Sequence, residues 1–135
     1  GLSEWECEHL FYYVKQTQRP IFGSIELIQH IKSAGYSVYA LTDNVHEIVS
    51  YLKSTYSFWP LFDGTIVSAD VGMLKPQPEI YHLLLNKFEL IASETVFIDD
   101  MLYNVEGAKS IGMHAIQFEN IDQCEKDLIS LGLNI

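Results

Sequence analysis

Positive charge is scarce in this sequence: Lys and Arg together number 8 against 18 Asp and Glu, for a formal net charge of −10. A surface of that sign repels phosphate backbones and argues against nucleic acid as a partner. Cysteine is nearly absent. Cys7 and Cys124 stand alone with no metal-type spacing between them, which excludes zinc sites of the cysteine–histidine kind and leaves each as an idle thiol. The five histidines, His9, His30, His46, His82 and His114, are scattered and form no i, i+4 ligand pair. Long apolar runs are missing too, with none near the roughly 18 residues a membrane helix needs. The opening Gly1-Leu2-Ser3-Glu4-Trp5-Glu6 has neither the basic nor the apolar region of a secretory signal. A soluble cytoplasmic protein without membrane or nucleic-acid partners is the expectation.

What is present is enough apolar material for a core. The chain has 135 residues, 48% hydrophobic and 19% charged, which suits one domain and excludes general disorder. Ser3 to Gln18 reads as a helix, with Ser3 and Glu6 in a capping-box arrangement and Trp5, Leu10, Tyr13 and Val14 along one side. A second helix is predicted over Gly23–Ala34, closed by Gly35, and a strand over Tyr36–Leu41. Further along, helices are predicted at Val45–Ser54, Pro78–Phe88, Asn104–Ile111 and Ile121–Leu131, and strands at Gly64–Ser68, Thr95–Ile98 and His114–Phe118. Strands alternating with helices at this spacing imply a parallel sheet with helices on its faces. In such sheets ligands bind beyond the carboxyl ends of the strands. Thr42-Asp43-Asn44 and Asp99-Asp100 each follow a strand there.

Asp99-Asp100 is the sharpest polar feature. Two adjacent acids after an apolar strand are costly to hold together without a cation, yet one of them would also serve as an ordinary helix cap. From the residues alone both readings stand. Asn104, in the first turn of the following helix, is placed to orient the pair. Lys75 sits in Leu74-Lys75-Pro76-Gln77-Pro78, where neighbouring prolines restrict the chain. It is either a solvated lysine before a helix or an ammonium aimed at phosphate oxygens and the nearby carboxylates. Thr42 either donates to a phosphate oxygen or caps the next helix. An anionic substrate on so acidic a chain would need a divalent cation and a well-placed lysine.

The order of these residues resembles the haloacid dehalogenase superfamily. Leu41-Thr42-Asp43-Asn44 is similar to its second motif, and Gly72-Met73-Leu74-Lys75-Pro76-Gln77-Pro78-Glu79-Ile80-Tyr81 to its third. Val96-Phe97-Ile98-Asp99-Asp100 through Asn104-Val105-Glu106-Gly107-Ala108, with Gly112 following, is similar to its fourth. The likeness runs from about Arg19 to Phe118. It implies a three-layer Rossmann-like parallel sheet, with residues 1–18 as the tail of an α-helical cap and residues 19–135 as the core. It also implies an Mg²⁺-dependent phosphatase acting on a small phosphorylated metabolite, such as a sugar or nucleotide phosphate, through an aspartyl-phosphate. In that resemblance Thr42 and Lys75 hold the transferring phosphoryl group, and Asp43 and Asn44 lie on the substrate side. Asp100 ligates Mg²⁺ directly, Asp99 helps directly or through water, and Asn104 supports them. Asp43 stands where many relatives have asparagine.

The family's first motif, a central strand ending in Asp-x-Asp whose first aspartate attacks phosphorus, has no counterpart between Gly1 and Gln18. Leu61-Phe62-Asp63-Gly64-Thr65 imitates its end, but with leucine at the nucleophile position and in the wrong place along the chain; Asp63-Gly64 reads as a turn. The expectation is therefore a fragment with an incomplete sheet, inactive by itself, weak in Mg²⁺ affinity and prone to self-association through the open centre. The alternative is a non-catalytic remnant or binding module of the same fold.

Overall fold

Residues 9–12, 24–42 and 61–135 are described by a computed structural model. Five parallel strands form one sheet: β1 (His9–Tyr12), β2 (Ser37–Thr42), β3 (Gly64–Val67), β4 (Thr95–Asp99) and β5 (His114–Gln117). Their order across the sheet is β3-β2-β1-β4-β5. Between them lie α1 (Ser24–Ser33), the short α2 (Ser68–Val71), α3 (Pro78–Lys87), a 3-10 turn (Ala92–Glu94), α4 (Leu102–Ser110) and α5 (Ile121–Ser130).

Side-chain alternation sorts these helices onto two faces. Val38, Val96, Ile98 and Ile116 point to one side and meet Leu27, Ile28 and Ile31 of α1 and Cys124 and Leu128 of α5. Tyr39, Leu41, Ile66 and Phe97 point to the other and meet Ile80, Tyr81, Leu84 and Leu85 of α3 and Ala108 of α4. The result is the three-layer Rossmann-like sandwich. Because both faces are covered, every residue of β4 is buried and the strand reads as a continuous apolar run rather than an alternating one. Gly35 and Gly112 follow α1 and α4 with φ of 98° and 94°, the left-handed turn that lets a helix return to the sheet. No helix among the described residues is long and apolar enough to cross a membrane.

The amino-terminal segment corrects the sequence reading. His9–Tyr12 is a strand where a helix over Ser3–Gln18 was expected, and it belongs to the core sheet, not to a cap. It pairs with β2, His9 beside Ser37 and Phe11 beside Tyr39, and with β4, His9 beside Thr95 and Tyr12 beside Ile98. The central place expected to be vacant is therefore filled from within the chain, and the case for self-association through an open centre loses its premise. Four residues flanked on both sides pair about eight backbone groups. At about 1–3 kcal/mol for each buried group left unpaired, the demand of the sheet rivals the 5–15 kcal/mol stability of a whole domain. A weak helical pattern cannot compete with that, and Phe11 and Tyr12 have good strand propensity. The rest of the expected amino-terminal helix, and the helix at Val45–Ser54, lie outside the described residues.

Candidate active site

Strand β4 lies inside the sheet between β1 and β5 and ends at Asp99, so its carboxylate emerges at the carboxyl edge of the sheet. Asp99 is wholly buried and is held by three donors. Lys75 Nζ lies 2.7 Å from Oδ2, Asn104 Nδ2 donates to the same oxygen at 3.2 Å, and the Met101 N–H donates to Oδ1 at 2.8 Å. Both side chains of the ion pair are 0% exposed. A solvated lysine before a helix is thereby excluded: Lys75 sits 5.8 Å from the centre of the Phe97 ring, beneath the surface. The peptide bond from Lys75 to Pro76 is cis.

Capping of α4 is settled by the same bonds. Met101 is the N-cap residue and provides no side-chain cap. Asp99 takes over that duty with one oxygen while the other pairs with Lys75. Asp100 is half-buried, and its backbone carbonyl accepts Gln117 Nε2 at 3.2 Å, which ties the acid pair to β5.

Two contacts that the sequence reading missed join the halves of the site. Tyr81 of α3 donates its hydroxyl to the Asn104 carbonyl at 2.8 Å and packs edge-on against Phe97, ring centres 5.4 Å apart. Gly107 of α4 lies so close to Pro76 that an added Cβ would come within 2.9 Å of the Pro76 Cβ. The element carrying Lys75 is therefore pressed against the element carrying Asn104. Gly107 was part of the motif read from sequence; the link from Tyr81 leaves no signature in composition or periodicity.

Of the other expected residues, Thr42 closes β2, in register beside Val67 at the carboxyl edge. Asp43 and Asn44 lie outside the described residues. Asp63 is at the opposite edge: its Oδ2 accepts the Val38 N–H at 2.7 Å, its Oδ1 accepts Lys32 Nζ at 2.8 Å, and its own N–H donates to the Val38 carbonyl. It clamps the start of β2 to the start of β3 and is too far along the sheet from the acid pair to be a nucleophile.

Hard oxygen donors suit Mg²⁺, which is commonly held by one or two carboxylates with waters and substrate phosphate completing the shell. Asp100 is a donor of that kind, and Asn104 Oδ1 is buried without a hydrogen-bond partner among the described residues. The Asp99 oxygens are already engaged. Among the described residues no group of three or more His, Cys, Asp or Glu side chains converges as a closed metal cage. The donors present fit an open, phosphate-assisted Mg²⁺ site.

Comparison with known proteins shows the family of this chain. Residues 1–112 match the family described as haloacid dehalogenase-like hydrolase. The chain is 34% identical over 113 residues to the sesquiterpene phosphatase astK of Aspergillus oryzae, covering 84% of this chain and 58% of that protein. It is 34% identical over 117 residues to the flavin mononucleotide hydrolase 1 of Arabidopsis thaliana, covering 84% and 46%. A HAD-family enzyme of Bacteroides thetaiotaomicron, solved in complex with magnesium and inorganic phosphate, shares the fold with a TM-score of 0.68 at 22% identity, covering 77% of this chain and 57% of that one. The chain thus spans about half the length of each of these three relatives.

Proposed function

Because this chain belongs to the haloacid dehalogenase-like hydrolase family, we propose that it supplies the charge-stabilising part of a phosphatase. The substrate class is a small phosphorylated metabolite, cleaved in the complete protein through an aspartyl-phosphate. The observation that carries this reading is the buried Lys75–Asp99 pair beside Asp100 at the carboxyl edge. A charged pair wholly removed from water is weak as a stabilising device, so its retention at a strand end suits a functional site. Phosphatase relatives and a neighbour bound to magnesium and phosphate support the same reaction class.

In this mechanism Thr42 donates a hydrogen bond to the phosphoryl group, with Asp43 and Asn44 beside it. Lys75, held in place by Asp99, faces the charge that builds on the phosphoryl oxygens. Asp100 is the direct Mg²⁺ ligand, Asp99 acts on the site through Lys75, and Asn104 fixes the Asp99 carboxylate. Magnesium, when bound, neutralises phosphoryl charge.

One observation favours a second reading for the isolated chain, a binding module without catalysis. The central strand is β1, and the residues after it are Tyr13-Val14-Lys15, with no carboxylate to attack phosphorus. The chain by itself is therefore expected to show no Mg²⁺-dependent hydrolysis of p-nitrophenyl phosphate while binding inorganic phosphate weakly in the presence of Mg²⁺. Turnover that Asp100→Asn abolishes would overturn the claim of inactivity. Absence of any phosphate binding by calorimetry would overturn the assignment of the site.

A further inference from the structure

The peptide group between Asp100 and Met101 is held at both of its polar ends. Its N–H, that of Met101, donates to Asp99 Oδ1 at 2.8 Å. Its carbonyl, that of Asp100, accepts Gln117 Nε2 at 3.2 Å. In a trans peptide these two groups point in opposite directions, so the two bonds together fix the plane of the group and the backbone that carries the Asp100 side chain. The ladder between β4 and β5 explains why a side chain is used on one end. Asp99 lies in register beside Gln117, and the Phe118 N–H donates to the Asp99 carbonyl at 2.8 Å. Past that bond the chain bends toward α4, and the Gln117 amide reaches across to the next carbonyl. Gln117 is itself anchored, since its own carbonyl accepts Gln123 Nε2 at 3.0 Å and Gln123 is locked into the capping box of α5 with Asn120.

We propose that Gln117 is a positioning residue for Asp100, acting through the Asp100 carbonyl. The proposal rests on the reading of Asp100 as the Mg²⁺ ligand and adds what orders its backbone before a cation arrives. Asp99 cannot do this alone: its Oδ1 holds the N–H end of the peptide while its Oδ2 is committed to Lys75 and Asn104. Without the Gln117 amide the carbonyl end is released, and the cation must then order the bend as it binds, at a cost in affinity.

The test is Mg²⁺ titration of this chain in the presence of inorganic phosphate, followed by the amide NMR shifts of Asp100 and Met101. Gln117→Met keeps the length of the side chain and removes the donor; Gln117→Ala stands in for it should it not fold. Asp63→Ala, which loosens the sheet at its other edge, controls for a general loss of stability, and circular dichroism checks that each variant is folded. Gln117→Met should weaken Mg²⁺ by about tenfold, the lower range for a partner that orients a metal ligand, while Asp63→Ala leaves the affinity unchanged and Asp100→Asn abolishes binding. In the metal-free chain, hydrogen exchange at the Met101 amide should be faster in Gln117→Met than in the parent. Unchanged Mg²⁺ affinity in Gln117→Met would overturn the positioning role and leave Asp100 standing as the ligand. An equal loss in Asp63→Ala would overturn it by making the effect one of stability. No Mg²⁺ response in the parent chain, or full binding by Asp100→Asn, would overturn the reading of Asp100 and the proposal together.

Discussion

Replacing Lys75 by methionine removes one charge from a pair that water does not reach. Across the 2.7 Å between Lys75 Nζ and Asp99 Oδ2, the attraction at an effective dielectric of about 20 is about 6 kcal/mol. Taking each ion out of water costs several kcal/mol. The intact pair therefore nearly breaks even, but a broken pair does not. Lys75→Met leaves the buried Asp99 with only the Met101 N–H and Asn104 Nδ2 as donors and should destabilise the chain by about 3–5 kcal/mol. Asp99→Asn removes the carboxylate from the buried ammonium and should also destabilise the chain. In the double variant no charge remains, and the Asn104 amide can turn to accept from the new asparagine. Its loss should be smaller than the sum of the singles by about 2–3 kcal/mol. Urea unfolding followed by circular dichroism measures all four corners of the cycle. Should Lys75→Met be too unstable to measure in buffer, the cycle is run in an osmolyte that favours the folded state. Single losses under about 1 kcal/mol, the range of exposed ion pairs, or strict additivity in the double variant, would refute the reasoning.

Other consequences follow from the same contacts. Gly107→Ala gains about 1 kcal/mol of helix propensity but forces a Cβ against Pro76 and the Tyr81 ring, so a net loss of about 1–2 kcal/mol is expected; a raised melting temperature would contradict the close packing. Asp63→Ala should cost about 1–3 kcal/mol by leaving the Val38 N–H unpaired, while phosphate affinity, read by calorimetry, stays unchanged because Asp63 lies at the other edge. Burial, reinforced by Asp127 and Glu125, pushes the Cys124 thiol up to about 12. A folded pKa above the unfolded value favours the folded state fully below about pH 9, and that contribution fades as pH climbs toward 12. In a Cys7→Ser background, labelling of Cys124 by a disulfide reagent at pH 8 should proceed only as fast as the chain opens; immediate labelling would contradict its burial.

Much of the site was legible because its residues sit at places where local chemistry is unusual. Acids directly after the apolar run Val96-Phe97-Ile98, a lysine between Leu74 and two prolines, and a threonine at the end of β2 are visible without coordinates, and their order along the chain resembles one family. Element boundaries also followed from local rules: Pro78 opens α3, and Gly35 and Gly112 follow α1 and α4. The two readings of Asp99-Asp100, cap or cation site, were not separable from sequence, because one carboxylate has two oxygens and Asp99 uses them differently.

Sequence by itself determined the parallel α/β class and the strand-end location of Thr42 and the acid pair. These depend on periodicity, on turn chemistry and on which residue types are present, all of which are local. Tertiary structure alone decided that Lys75 is buried against Asp99, that Tyr81 ties α3 to α4, that Asp63 is a clamp at the far edge, and that His9–Tyr12 is the central strand and no helix. The physical reason is common to all four. Each is decided by a partner distant in sequence, and in the case of β1 the unpaired backbone of two neighbouring strands outweighs the local preference of the residues that fill the place between them.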